Sequence, residues 1–202
     1  PAPATQDNIR IIATPFEGET AGLPASIYRL NNKNIRLSLQ ADGLTDSLRE
    51  LAGVYVQETS SGRGAPIIRG FSSSRNLLIA DGVRVNNPIL REGPNEYWNL
   101  LDSFAYSNVE LVLGPGSVIY GSDAIGGVVL VSSEVLGRGE VGKGLQWLSG
   151  DAYLRYGSAQ DSFSENVQMR LGVDDDLAFS LGITKQSFGD LRMANEVQNR
   201  SG

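Results

Sequence analysis

The chain has neither cysteine nor histidine. Disulfides, thiolate metal sites, Cys or Ser-His nucleophile systems and histidine general bases are thereby excluded. No stretch reaches the ~18 to 20 uninterrupted apolar residues of a membrane-spanning helix, an absence that leaves short, alternating barrel strands untouched. Long basic clusters are missing too, and 17 Lys+Arg against 23 Asp+Glu give a net charge of −6. That balance argues against gripping a phosphate backbone, so no nucleic acid partner is expected. The opening Pro1–Asn8 has no basic or apolar region of the kind that makes a signal peptide, which leaves export open. What is plentiful is glycine, 24 of 202 residues, against an ordinary usage of about 7%. Without a collagen period this excess signals many turns, and so many short strands.

Three zones follow one another: a polar, Pro/Ala-rich opening over 1–22, a glycine-punctuated region over 23–137, and an alternating tail over 138–202. In the first, Asn8-Ile9-Arg10-Ile11-Ile12-Ala13-Thr14 is β-prone but has little core nearby to join; a terminal strand docked on its own domain is the plain alternative. In the second, Thr45–Leu51 reads as a short helix with Thr45 as N-cap and Asp46 at its positive end, stopped by Gly53. Val54–Gln57 and Pro66–Phe71 read as strands. Asp81-Gly82 between Leu77–Ala80 and Val83–Val85 predicts a tight hairpin. A long loop over Asn86–Asn99 carries Arg91, Glu92, Tyr97 and Trp98, and loops of that length usually do something. Asn108–Leu113 and Val128–Val131 read as further strands, with a helical turn at Pro115–Tyr120. In the tail, Val167, Met169, Leu171 and Val173 alternate with polar or small residues, as do Leu177, Phe179, Leu181 and Ile183 and, more weakly, Ala152, Leu154 and Tyr156. Three antiparallel strands fit a sandwich edge or a barrel wall, and Arg170 favours a wet lumen.

These motifs resemble the plug domain of TonB-dependent outer-membrane transporters. The resemblance rests on Gly62–Phe71, the Leu77–Val85 hairpin and Val109–Val129 (VELVLGPGSVIYGSDAIGGVV), in that order, over about residues 44 to 133. It implies an α+β plug, a short mixed β-sheet with short helices, followed by antiparallel transmembrane β-barrel strands. Three strands leave that barrel incomplete, since about 22 are needed to close one of this kind. The sequence is accordingly expected to be a fragment of a longer chain or an incomplete gene product. The first outer loop is expected over Gly157–Asn166, a periplasmic turn at Asp174–Asp176, and a second outer loop from residue 187.

By the same resemblance Asp7, Asn8 and Ile9–Thr14 match the TonB box, a segment recognised by strand addition. The apical loops give Ser72, Ser73, Ser74, Arg75, Arg91, Glu92, Asn95, Tyr97 and Trp98 as ligand contacts, with Tyr97 and Trp98 equally suited to packing. Arg63, Arg69 and Glu110 are carried over as plug–barrel contacts. Leu113 stands where the family usually has Arg, removing one ionic contact. The implied partners are TonB with its proton-driven motor, outer-membrane lipid, and a ferric chelate or other small nutrient; no cofactor or metal site is implied. The implied location is the bacterial outer membrane with the N-terminus in the periplasm. Lack of histidine argues against haem capture by the plug. Two other readings stand beside this one: a soluble periplasmic binding module derived from a truncated receptor, and an enzyme using Asp174, Asp175 and Asp176. The second lacks any base, nucleophile or metal set.

Overall fold

The computed structural model describes residues 26–60, 62–86, 96–133, 147–158, 160–174 and 177–189. In chain order the strands are β1 (Ser26–Asn31), β2 (Val54–Ser60), β3 (Arg63–Ile68), β4 (Asn76–Ala80), β5 (Val83–Arg84), β6 (Tyr106–Leu113), β7 (Gly127–Ser133), β8 (Trp147–Gly157), β9 (Ser162–Asp174) and β10 (Leu177–Ser187). Two single-turn helices, α1 (Leu44–Ser47) and α2 (Ser117–Tyr120), complete the plug with a π-turn at Asn34–Ser38 and 3-10 turns at Ser73–Arg75 and Glu96–Leu100.

The plug is built on a five-stranded sheet in the order β1-β6-β7-β4-β5, antiparallel except for the β4–β7 pair. The apolar runs of β4 and β7 are nearly continuous because both faces are covered, as parallel pairing demands. Leu78, Val109, Leu111, Val129 and Val131 face one cluster with Ile35, Leu44, Leu48, Ile68 and Trp98. Leu77, Val112, Val128 and Leu130 face the other with Ala124. The predicted hairpin is present, with Asp81 at φ 46° and Gly82 at φ 82°. Asp81 then clasps the end of β7, accepting hydrogen bonds from Ser133 N (2.7 Å) and Ser133 Oγ (2.7 Å).

Two local expectations change. Gly43, not Thr45, is the N-cap of α1. Capping two residues earlier buries Leu44, while the Thr45 hydroxyl turns to Asn99 Oδ1 at 3.4 Å. Asp46 does serve the helix start, accepting the Asp42 N–H at 3.0 Å. The expected Pro66–Phe71 strand ends at Ile68, because Arg69 (φ 52°) and Gly70 (φ 83°) turn the chain and Phe71 N donates back to Ile68 O at 2.9 Å.

The tail forms a separate antiparallel sheet, β10-β9-β8. Its two faces differ as the alternation predicts. Leu148, Leu154, Val167, Met169, Leu171, Phe179, Leu181 and Ile183 are exposed on one side. On the other, Ser162, Ser164 and Asn166 are only 1 to 2% exposed, covered by the plug. The expected outer loop over 157–166 is thereby corrected. Strand β9 already begins at Ser162, paired with Gly157, and its small polar residues are the plug-facing half of a strand.

Candidate functional site

The plug meets the strand sheet through two polar clusters. In the first, the Asn34–Ser38 turn projects Arg36 toward β8 and β9. Its Nη2 donates to Phe104 O (3.2 Å) and Asn166 Oδ1 (3.0 Å). The guanidinium lies 5.1 Å from the Phe104 ring centre and 5.9 Å from that of Tyr153, a double cation–π contact. Tyr153 Oη donates to Arg36 O at 3.1 Å, and Gln168 Nε2 donates to Phe104 O. Burial draws the Arg36 pKa down, opposed by the charges of Asp151 and Asp102. Asp151 also holds Arg170 at 2.7 Å, which gives that lumen-facing arginine its partner.

The second cluster centres on Asp42, in the loop between the π-turn and α1. Its carboxylate accepts from Arg155 on β8 and from Gln160 in the β8–β9 turn. Its carbonyl oxygen accepts from Gln186 Nε2 of β10 at 2.8 Å. Beside it opens a cleft of about 240 Å³, lined among others by Asp42, Asp46, Arg49, Glu58, Arg63 and Gln160. Burial works against the Arg49 charge, but ion pairs to Asp46 (3.0 Å) and Glu58 outweigh it and raise the pKa.

The structure redistributes the residues named from sequence. Glu110 is 3% exposed and meets Arg29 at 3.2 Å across the β1–β6 ladder, so its charge is answered inside the plug. Arg69 is exposed, its backbone N–H bonded to Gly53 O at 2.8 Å. Neither it nor Arg63 has an ion pair among the described residues, although Arg63 borders the cleft. Toward the described strands β8–β10 the plug contacts are made by Arg36, Phe104 and Asp42. Trp98 is 1% exposed in the plug core and is corrected from ligand contact to packing residue, since an indole with no surface can touch no ligand. Ser72 is half-buried, while Ser74 and Arg75 are exposed. This turn is pinned where Arg75 O accepts the N–H groups of Ile125 and Gly126, both at 3.0 Å. The side chains of Ser73 and Tyr97, and residues 7–14, 91, 92 and 95, fall outside what is described.

Nothing in the local pattern around Arg36 or Asp42 marks them out. The signal lay across the interface, in the alternate polar residues Tyr153, Arg155, Asn166, Gln168 and Gln186, which need polar partners once the sheet is covered.

A family model described as the TonB-dependent receptor plug domain matches residues 19–128, over half of the chain. The vitamin B12 transporter BtuB of Vibrio vulnificus is 35% identical over 130 residues, 63% of this chain and 20% of that protein. The iron-regulated outer membrane virulence protein of Vibrio cholerae is 32% identical over 133 residues, again 63% of this chain and 20% of that protein. This chain thus spans about a fifth of these relatives. Among solved structures, the hemophore receptor HasR of Serratia marcescens aligns with a TM-score of 0.67 over 89% of this chain and 26% of that one. At 18% identity, that likeness concerns the fold alone. The chain belongs to the TonB-dependent outer-membrane receptors, carrying the plug domain and the first antiparallel strands of the barrel wall around it.

Proposed function

We propose that this chain is the plug-bearing part of an active importer for a scarce nutrient, with a ferric siderophore as its cargo. Residues 1–22 serve as a periplasmic segment, 23–137 as the plug and 138–202 as the start of the barrel. The observation that carries this reading is the docking of the plug on the polar face of a sheet whose opposite face is apolar and exposed. Such a sheet suits a wall between lumen and lipid better than a soluble module. Relatives named for vitamin B12 transport and iron regulation support nutrient uptake as the class.

In this reading ligand binds on the outer face of the plug, at Ser72, Ser73, Ser74 and Arg75 together with Arg91, Glu92, Asn95 and Tyr97. Asp7–Thr14 offers TonB a strand edge in the periplasm. Ligand and TonB must favour the same plug state for the two events to couple. No bond in the cargo is made or broken, so the chain acts as no enzyme.

The test is uptake by cells carrying the full-length receptor, offered labelled ferric chelates and, separately, labelled cobalamin. Ile11→Pro removes a backbone donor from the TonB segment and should cut uptake about tenfold or more while surface binding persists. Undiminished uptake would remove the TonB assignment. Preference for cobalamin over every ferric chelate would replace the cargo.

A further inference from the structure

We propose that Asp42 is the keystone of a charge latch that fixes the plug to the first barrel hairpin. One residue here engages three parts of the wall. Its carboxylate takes Arg155 of β8 and Gln160 of the β8–β9 turn, and its carbonyl takes Gln186 of β10 at 2.8 Å. The Asp46 carboxylate holds the Asp42 N–H at 3.0 Å, so the residue is fixed from the plug side as well. The Asp42 side chain is 9% exposed and that of Arg155 20%.

A charge pair this dry depends on both members. Removing one strands the other in a poorly solvated place, which is far more damaging than losing a surface pair. Asp42 also lies between β1 and α1, on the segment joining the sheet edge to the buried Leu44 and Leu48. Holding that segment against β8 and β10 keeps the plug from shifting along the wall, and a plug free to shift leaks.

The latch is tested in the full-length receptor with neither ligand nor TonB present, so its failure is separable from failure of the transport reading. The readouts are ion conductance in planar bilayers and sensitivity of cells to a large hydrophilic antibiotic. Asp42→Ala and Arg155→Ala should each raise the leak about tenfold, and the double variant no further than either alone. Asp42→Arg combined with Arg155→Asp should restore tightness. Asp42→Asn, which keeps an acceptor for Gln160, should fall between wild type and Asp42→Ala and serves if the alanine variant does not accumulate. Wild-type tightness in folded, heat-modifiable Asp42→Asn and Asp42→Ala receptors would overturn the latch. So would single effects that multiply in the double variant.

Discussion

Gly126→Ala should destabilise the plug by about 3 kcal/mol, the upper end of what overpacking a filled site costs. A Cβ at this position would lie 2.7 Å from Ile68 O and 2.8 Å from Phe71 Cβ, and closest of all to Asn76 Oδ1. None of these can retreat. Ile68 O is backbone, and it accepts the Phe71 N–H at 2.9 Å in the turn that closes β3. Asn76 is fully buried, with Nδ2 bonded to Phe71 O at 2.6 Å. The glycine itself is tied on both sides, donating to Arg75 O (3.0 Å) and accepting from Gly114 N (2.9 Å). Shifting it would therefore pull the Ser73–Arg75 turn, which the transport reading gives to ligand. Gly70→Ala is the informative comparison. No atom lies within 4 Å of its Cβ position, so only the strain of a φ of 83° remains, worth about 1–2 kcal/mol. Hydrogen exchange of plug amides in the full-length receptor should show the larger loss of protection for Gly126→Ala. Equal losses would mean that the close approach at Gly126 is relieved by movement.

The parts of this molecule that could be read from sequence are those whose cause is local. Asp81-Gly82 specifies its hairpin because the turn demands positive φ at both positions. The alternation from Val167 to Ile183 specifies β9 and β10 because side chains on a strand point to opposite faces. Strand β1 escaped notice because Ser26–Asn31 earns its place by pairing with β6, and its polar ends give no pattern of their own. Ser162, Ser164 and Asn166 look like loop residues until a plug covers them. Trp98 sits amid Asn, Pro and Gly that suggest an open loop, yet tertiary packing takes its ring into the core. The plug–wall contacts were the least legible for the same reason. Which arginine meets which carboxylate depends on how two surfaces approach, and nothing in the local sequence around Arg36 or Asp42 reports that they face β8–β10.

The depth of the strand sheet in a bilayer can be measured through its apolar face. Leu181→Arg should cost about 2–4 kcal/mol and Leu154→Arg only about 0–1 kcal/mol, because the penalty for arginine peaks at the bilayer midplane and fades toward the interface. Leu181 stands in a row with Gly150 and Met169, between a row of Leu148, Leu171 and Phe179 and one of Ala152, Val167 and Ile183. Every side chain around it on that face is apolar. Leu154 shares its row with Glu165 and Lys185, and the next row holds Tyr156 and Phe163. Charges followed by aromatic rings mark the edge of an apolar band, where amphipathic side chains reach the headgroups. Urea unfolding of the full-length receptor refolded into lipid bilayers gives both values. A penalty at Leu154 matching that at Leu181 would move the band outward, and no penalty at either would take the face out of the membrane. The same experiment bears on the plug, since the strands that place Leu181 in lipid place Arg155 and Gln186 on the opposite face, where they meet Asp42.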